Sequence, residues 1–289
     1  MAVQMHVAYS ADVNGAAVIA GGPFYCAQGA VMNALTDCMS MPSLLSTSAL
    51  ISYTTEQASS GTIDPVSNLS GSKAWVFSGM LDTVVQKGVV EALVTYYQNF
   101  GVNVTTEYNI PGEHSWVTNS YGNACYLLMS PYMNNCDYDS VGAFLNILYG
   151  SVKPSISAVS ANLVPFDQTK YASSSAGMAA QGYMYVPTGC QSNPSSCSLH
   201  VAFHGCLMNA ATIGTVFVEN SGLNGYAEAN NLVVLYPQTA TQETINPQSC
   251  WDWWGYSGAD YSLKSGAQMQ AVYQMTTNLP TGAAGTWFQ

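Results

Sequence analysis

Eight cysteines, at positions 26, 38, 125, 136, 190, 197, 206 and 250, constrain this chain more than any other feature. Six fall into close pairs, Cys26/Cys38, Cys125/Cys136 and Cys190/Cys197, and Cys206 and Cys250 remain as a longer-range pair. An even number at such spacings predicts four disulfides and an oxidising compartment, although spacing alone leaves other connectivities open. Zinc is the competing use of cysteine. No C-x-x-C occurs and no His/Cys cluster has ligand spacing, so no metal site is expected. Sequons at Asn68 (N-L-S) and Asn103 (N-V-T) fit export and glycosylation.

Charge narrows the partners. Five lysines, no arginine and sixteen acids give a net charge of −11. Five scattered cations cannot build a phosphate-binding face, which excludes nucleic acid and disfavours anionic membranes. No run of eighteen apolar residues occurs, so no membrane span is expected. Charged residues make up 7% and hydrophobic ones 48%, which predicts a folded chain with a neutral polar surface. Such a surface suits a secreted, monomeric protein acting on a neutral substrate. The opening M-A-V-Q-M-H-V-A-Y-S has neither a basic n-region nor a sustained apolar h-region. No signal peptide is therefore read in the chain, which is expected to be a mature form or a fragment.

A length of 289 residues favours one domain. Short apolar runs closed by Gly or Pro predict strands at Gly15–Ala20, Ala74–Ser78 and Asn231–Tyr236. Further strands are expected at Val102–Tyr108, Tyr183–Val186 and Leu199–Phe203. Helical periodicity covers about 85–100, 138–149 and 266–275, with another helix expected from Cys206 to about Val218. Residues 1–9 fit either a helix or an alternating strand. Residues 151–181, rich in Ser, Ala and Gln, read as a long surface connection. Strands alternating with helices predict a three-layer α/β sheet.

Four segments carry chemistry. Asp82, in V-F-S-G-M-L-D-T, follows a predicted strand, where an acid either orients an imidazole or caps a helix. His114, in P-G-E-H-S-W, follows another strand and a tight turn, and is a candidate general base. Asp then His, each after a strand, fit the last two members of a hydrolase triad. Leu199–Cys206 (L-H-V-A-F-H-G-C) is a strand ending in His-Gly, and the next N–H, on Cys206, can face an oxyanion. His200 and His204 are read as structural, with Gly205 giving close backbone approach. The run C-W-D-W-W-G-Y places Trp251, Trp253 and Trp254 as candidates for the wall of an apolar cleft or for core packing, with Trp116 as a further candidate. No intact G-x-S-x-G exists, and Ser257 in G-Y-S-G-A follows a loop rather than a strand, so it is not taken as a nucleophile.

Along its whole length the sequence resembles the secreted, single-domain polyhydroxybutyrate (PHB) depolymerases of filamentous fungi. The resemblance rests on M-A-V-Q-M-H-V-A-Y-S, A-G-G-P-F-Y-C-A, S-G-M-L-D-T-V-V, S-P-Y-M-N-N-C-D-Y-D, C-S-L-H-V-A-F-H-G-C, N-L-V-V-L-Y-P-Q and C-W-D-W-W-G. It implies a circularly permuted α/β-hydrolase fold with a Ser-His-Asp triad, four disulfides and no cofactor. Asp82 and His114 match the triad acid and base, Cys206 an oxyanion N–H, and Trp251–Trp254 the indole wall. The family's nucleophile would stand about five residues ahead of Met1. Residues 1–289 are therefore expected to form one N-terminally incomplete catalytic domain whose central nucleophile strand is missing. The expected function is extracellular hydrolysis of short-chain poly(3-hydroxyalkanoate) esters, with the chain as written inactive for want of its Ser. Rival expectations are a feruloyl or acetylxylan esterase, and a non-catalytic secreted polymer-binding protein.

Overall fold

The computed structural model describes residues 1–278. Strands β1 (Gly15–Ile19), β2 (Lys73–Phe77) and β3 (Asn103–Glu107) form a parallel sheet in the order β1-β2-β3. β4 (Trp116–Thr118), β5 (Asn123–Ala124) and β6 (Met133–Asn135) make a small sheet, β4-β6-β5. β7 (Leu163–Asp167), β8 (Gln181–Tyr185), β9 (Ser198–Val201) and β10 (Leu232–Tyr236) form the other main sheet, β7-β8-β10-β9. There β10 runs parallel to β9 and antiparallel to β8. The helices are α1 (Ala2–Ala8), α2 (Val31–Leu35), α3 (Thr47–Ser60), α4 (Lys87–Asn99) and α5 (Ser140–Tyr149). They continue as α6 (Thr188–Gln191), α7 (Ala210–Ile213), α8 (Val216–Asn220), α9 (Leu223–Asn230) and α10 (Ala267–Asn278). No described helix is long and apolar enough to cross a membrane.

Period-2 alternation sorts the strands between two helical layers. Ala16, Val18, Ala74 and Val76 pack with α4 residues Val89, Val90, Leu93, Tyr96 and Tyr97. Their alternates Ala17, Ile19, Trp75 and Phe77 pack with Phe144 and Leu145 of α5. In β10, Leu232, Val234 and Tyr236 face the same layer as α5 and α9, while Val233 and Leu235 face Ala271 and Met275 of α10. The predicted three layers are thus present.

The two main sheets meet along a seam. Among the described residues, β1 pairs only with β2, and β9 only with β10. α5 bridges the seam: Phe144 packs on Trp75 of β2 and stacks on His200 of β9, each at 5.8 Å between ring centroids. The Tyr149 hydroxyl donates to the Leu199 carbonyl of β9 at 3.2 Å.

Several expectations need correction. Residues 151–181 are not only a connection: Leu163–Asp167 is an edge strand, where Pro165 is tolerated because an edge N–H needs no ladder partner. The expected helix up to Val218 is two short ones, broken at Gly214, whose φ is 65°. Helices α3 and α9 were not anticipated. The opening residues are helical, and Val3 to Ala8 are all buried. All four expected disulfides form: Cys26–Cys38, Cys125–Cys136, Cys190–Cys197 and Cys206–Cys250.

Candidate active site

The strands β2 and β3 are parallel, so the segments leaving them emerge at one edge. The first, Ser78–Asp82, is tied to the second by Met80 N–H donating to Ile110 O (2.9 Å) and Leu81 N–H donating to Gly112 O (3.0 Å). A Cβ at Gly79 would sit 2.2 Å from the Gly112 oxygen, so only glycine permits this approach.

Across that contact Asp82 meets His114. Asp82 Oδ2 lies 2.9 Å from His114 Nδ1, with the Asp82 side chain 2% exposed and that of His114 34% exposed. A carboxylate only accepts, so Nδ1 carries the proton and Nε2 is the basic nitrogen. No described residue hydrogen-bonds Nε2. Asp82 Oδ1 accepts from the amides of Val84 (2.9 Å) and Val85 (2.8 Å). Both readings of Asp82 therefore hold, one per oxygen. The capped turn precedes the helix, since α4 starts only at Lys87.

Glu113 was missed from the sequence, where an acid beside a loop His reads as solvated. It is buried, and its Oε1 accepts from the amides of Thr83 (2.7 Å) and His114 (2.8 Å). Its Oε2 accepts from the Thr83 hydroxyl at 3.0 Å. One carboxylate thus staples both loops that carry the dyad. The Glu113 N–H donates to Cys125 O (2.9 Å), beside the Cys125–Cys136 disulfide.

The His-Gly segment is organised by a second histidine. Buried His204 accepts from Thr239 N–H at Nε2 (3.2 Å), so its Nδ1 carries hydrogen and donates to Gly205 O (2.7 Å). Burial pushes its pKa down to about 4, which keeps it neutral. In a trans peptide the N–H points opposite the C=O. Fixing the Gly205 carbonyl therefore fixes the Cys206 N–H, which donates to no acceptor among the described residues. Cys206 is exposed and tied to Cys250. His200, as expected, is structural: Nδ1 lies 3.1 Å from the Tyr149 hydroxyl.

The tryptophans divide. Trp251 is buried edge-to-face on Phe203 and tilted over His204, so it belongs to the core behind the His-Gly segment rather than to an open wall. Trp116 donates from Nε1 to Ser221 O at 2.9 Å and packs edge-on against Phe144 and Phe217, another core role. Trp253 and Trp254 are half-buried and perpendicular to each other, still available as a wall. The loop closes around buried Asp252, a second missed acid. Its Oδ1 accepts from the amides of Trp254, Gly255 and Tyr256, and its Oδ2 from the Ser257 amide and hydroxyl. The Ser257 hydroxyl is therefore engaged away from His114.

A crevice of about 320 Å³, lined by residues that include Ala180, Tyr183, Ala211 and Gln238, shares Thr239 with the His204 hydrogen bond but does not reach the dyad. The segments hydrogen-bonded to the dyad loops carry a rim of exposed apolar side chains. Val31, Met32, Leu35, Met41 and Leu44 lie in the excursion between β1 and α3, Met80 and Leu81 follow β2, and Tyr126, Leu128 and Met129 lie between β5 and β6. The Met39 carbonyl accepts from Gln86 N–H (2.8 Å), which brings the first group beside the Asp82 turn. Asn68 and Asn103 are both exposed.

No protein-family model matches the chain. Among curated proteins it is 47% identical over 292 residues to a poly(3-hydroxybutyrate) depolymerase of Delftia acidovorans, covering 99% of this chain and 58% of that one. It is 36% identical over 305 residues to a polyhydroxybutyrate depolymerase of Talaromyces funiculosus, covering 99% of this chain and 87% of that one. The chain thus spans little more than half of the bacterial relative. The crystal structure of PHB depolymerase from Penicillium funiculosum superposes with a TM-score of 0.82 at 34% identity, over 93% of this chain and 88% of that one. A serine-to-alanine variant of a PHB depolymerase complexed with R3HB trimer superposes with a TM-score of 0.83, at the same identity and coverage.

Proposed function

The chain belongs to the polyhydroxybutyrate depolymerase family, and we propose that it works as an extracellular serine esterase on short-chain poly(3-hydroxyalkanoate) esters, releasing hydroxy-acid monomers and oligomers. The observation that carries this reading is the 2.9 Å contact between Asp82 Oδ2 and His114 Nδ1, which leaves Nε2 as a base. A serine hydroxyl gives its proton to Nε2 as its oxygen attacks the ester carbonyl. Asp82 stabilises the imidazolium, and the Cys206 N–H holds the oxyanion, a donor of this kind being worth roughly 3–4 kcal/mol in the transition state. His114 then protonates the leaving alcohol. Water, deprotonated by His114, releases the acyl group as hydroxy acid.

The serine is assigned to a strand and elbow leading into α1, with the strand filling the seam between β1 and β9. Two observations support that placement. Both facing edges lack a partner among the described residues. The amino end of α1 lies on the Asp252 side, where Gln4 Nε2 donates to Asp252 O at 3.1 Å, next to Trp251 and His204. With the elbow ahead of Asp82, His114 and the His204–Cys206 segment, the order is a circular permutation of the usual hydrolase.

A solid polyester as substrate is supported by the exposed apolar side chains of the rim, since clustered exposed apolar residues mark contact surfaces. The relative captured with R3HB trimer points to the same chemistry. The test compares the 289-residue chain with one extended upstream in frame, on polyhydroxybutyrate film, methyl ferulate and acetylated xylan. Release of hydroxybutyrate by the extended chain alone is expected. Equal activity of the two chains refutes the serine assignment, and preference for either plant ester refutes the substrate.

A further inference from the structure

We propose that the exposed methionines Met32, Met41, Met80 and Met129 are an oxidation site through which a hydroperoxide releases the protein from its polyester surface. This rests on the polyester reading above.

The chain has thirteen methionines. Met5, Met133, Met184, Met208, Met269 and Met275 are buried, and Met1, Met39 and Met178 are partly buried. Met32 is 65% exposed, Met41 51%, Met80 62% and Met129 50%, and all four belong to that apolar rim. Met80 lies two residues before Asp82, Met32 and Met41 flank the segment whose Met39 carbonyl accepts from Gln86 N–H, and Met129 lies between β5 and β6, just after the Cys125 whose carbonyl accepts from Glu113 N–H. No free cysteine competes for the oxidant among the described residues, because all eight are in disulfides. Thioether oxidation follows exposure, so these four sulfurs are the ones a peroxide meets.

The step is balanced as follows. A sulfur lone pair attacks the terminal oxygen of the hydroperoxide, an S–O bond forms, the O–O bond breaks, and the proton of the attacked oxygen passes to the departing oxygen. The sulfur is oxidised by two electrons to the sulfoxide, and the peroxide is reduced to the alcohol, or to water for hydrogen peroxide. The new oxygen is a strong acceptor. A polyester offers only acceptors, its ester carbonyl and ether oxygens. A sulfoxide pressed onto it therefore loses its water hydrogen bonds and regains none. Four such groups convert an adsorbing face into a hydrated one, while the Asp82–His114 contact contains no sulfur.

The test uses the purified protein, hydrogen peroxide, peptide mapping and retention on polyhydroxybutyrate film. Sulfoxide at the four rim positions before the buried ones is expected, with film retention falling at least about tenfold. The quadruple variant Met32→Leu, Met41→Leu, Met80→Leu, Met129→Leu, measured against its own untreated retention, is expected to lose none of it on peroxide treatment. Four mapped sulfoxides with unchanged retention overturn the proposal, as does peroxide release of the Leu variant equal to that of the parent. Untreated protein that does not bind the film overturns the polyester reading, and the inference with it.

Discussion

Replacing Asp252 by asparagine tests what holds the tryptophan loop. The carboxylate is 1% exposed and accepts five hydrogen bonds. Asparagine can keep Oδ1 for the amides of Trp254, Gly255 and Tyr256. Its Nδ2 then faces the Ser257 amide, which loses an acceptor 2.7 Å away, whereas the Ser257 hydroxyl can turn and accept. A hydrogen bond to a charged group is worth about 1.5–3 kcal/mol, and an orphaned buried donor costs about 1–3 kcal/mol. The three retained bonds also weaken as the charge is lost. The net cost is about 3 kcal/mol, and Asp252→Ala, which loses all five bonds, costs more. With a urea slope of about 3 kcal/mol/M, the Asn variant unfolds roughly 1 M earlier. Tryptophan fluorescence reads this directly, because Trp251, Trp253 and Trp254 flank the site. Midpoints within about 0.2 M of the parent for both variants refute the reasoning, and assign the loop's order to the Cys206–Cys250 bridge and packing instead.

Asp82→Asn presents an amide to His114 Nδ1 and stabilises the wrong tautomer; turnover of a short soluble ester by the extended chain is expected to fall about 10⁴-fold with film binding unchanged. Buried His6 and His204 have pKa values pushed down to about 4 by desolvation. The unfolded chain takes protons near pH 6.5 that the folded chain refuses, so their stabilisation is complete above about 6.5 and is lost as pH falls toward 4. That is about 3 kcal/mol each, and urea midpoints measured at pH 7 and 4.5 for the parent and His6→Asn check it, the variant showing the smaller fall. Removing Cys206 and Cys250 together as alanines opens a loop of 44 residues and is expected to cost about 4 kcal/mol, read by the same denaturation. Glu113→Ala is expected to lower esterase turnover more than Glu113→Gln, because Gln retains an acceptor for the Thr83 and His114 amides.

Strands β1, β2 and β10 were legible because each is a short apolar run ended by Gly or Pro, and they differ from their expected limits by a residue or so, while β3 was legible from alternation alone. Helix α3 was not. Its sequence, T-S-A-L-I-S-Y-T-T-E-Q-A-S-S, is polar nearly all round. Its hydroxyls turn back onto the helix, Thr54 to Leu50 O, Thr55 to Ile51 O and Ser59 to Thr55 O, and the helix is held at its ends, where Ser46 Oγ accepts from Ala49 N–H at 3.3 Å and Gly61 closes it at φ 76°. Only Leu50 and Thr54 are buried in it, and Thr54 reaches the Tyr96 hydroxyl of α4 at 2.8 Å. β7 was hidden by its Pro and by the polar segments around it. Asp82 and His114 were legible as polar residues placed after strands. Glu113 and Asp252 were not, since an acid surrounded by backbone amides has the same letter as a solvated one.

Glu113 explains how an exposed histidine can be held in place. His114 has a third of its side chain in solvent, and one bond to Asp82 leaves it free to swing about that contact. Its backbone, however, shares Glu113 Oε1 with Thr83, the residue after Asp82. Asp82 is itself fixed by the amides of Val84 and Val85. The two loops therefore stay together without the dyad bond, and removing that bond changes the tautomer of His114 rather than its position. The same logic runs through His204, which spends both ring nitrogens on backbone and so aims a peptide rather than reacting. At each point a buried side chain converts flexible loop backbone into a fixed donor or acceptor, which is the condition for electrostatic stabilisation without reorganisation.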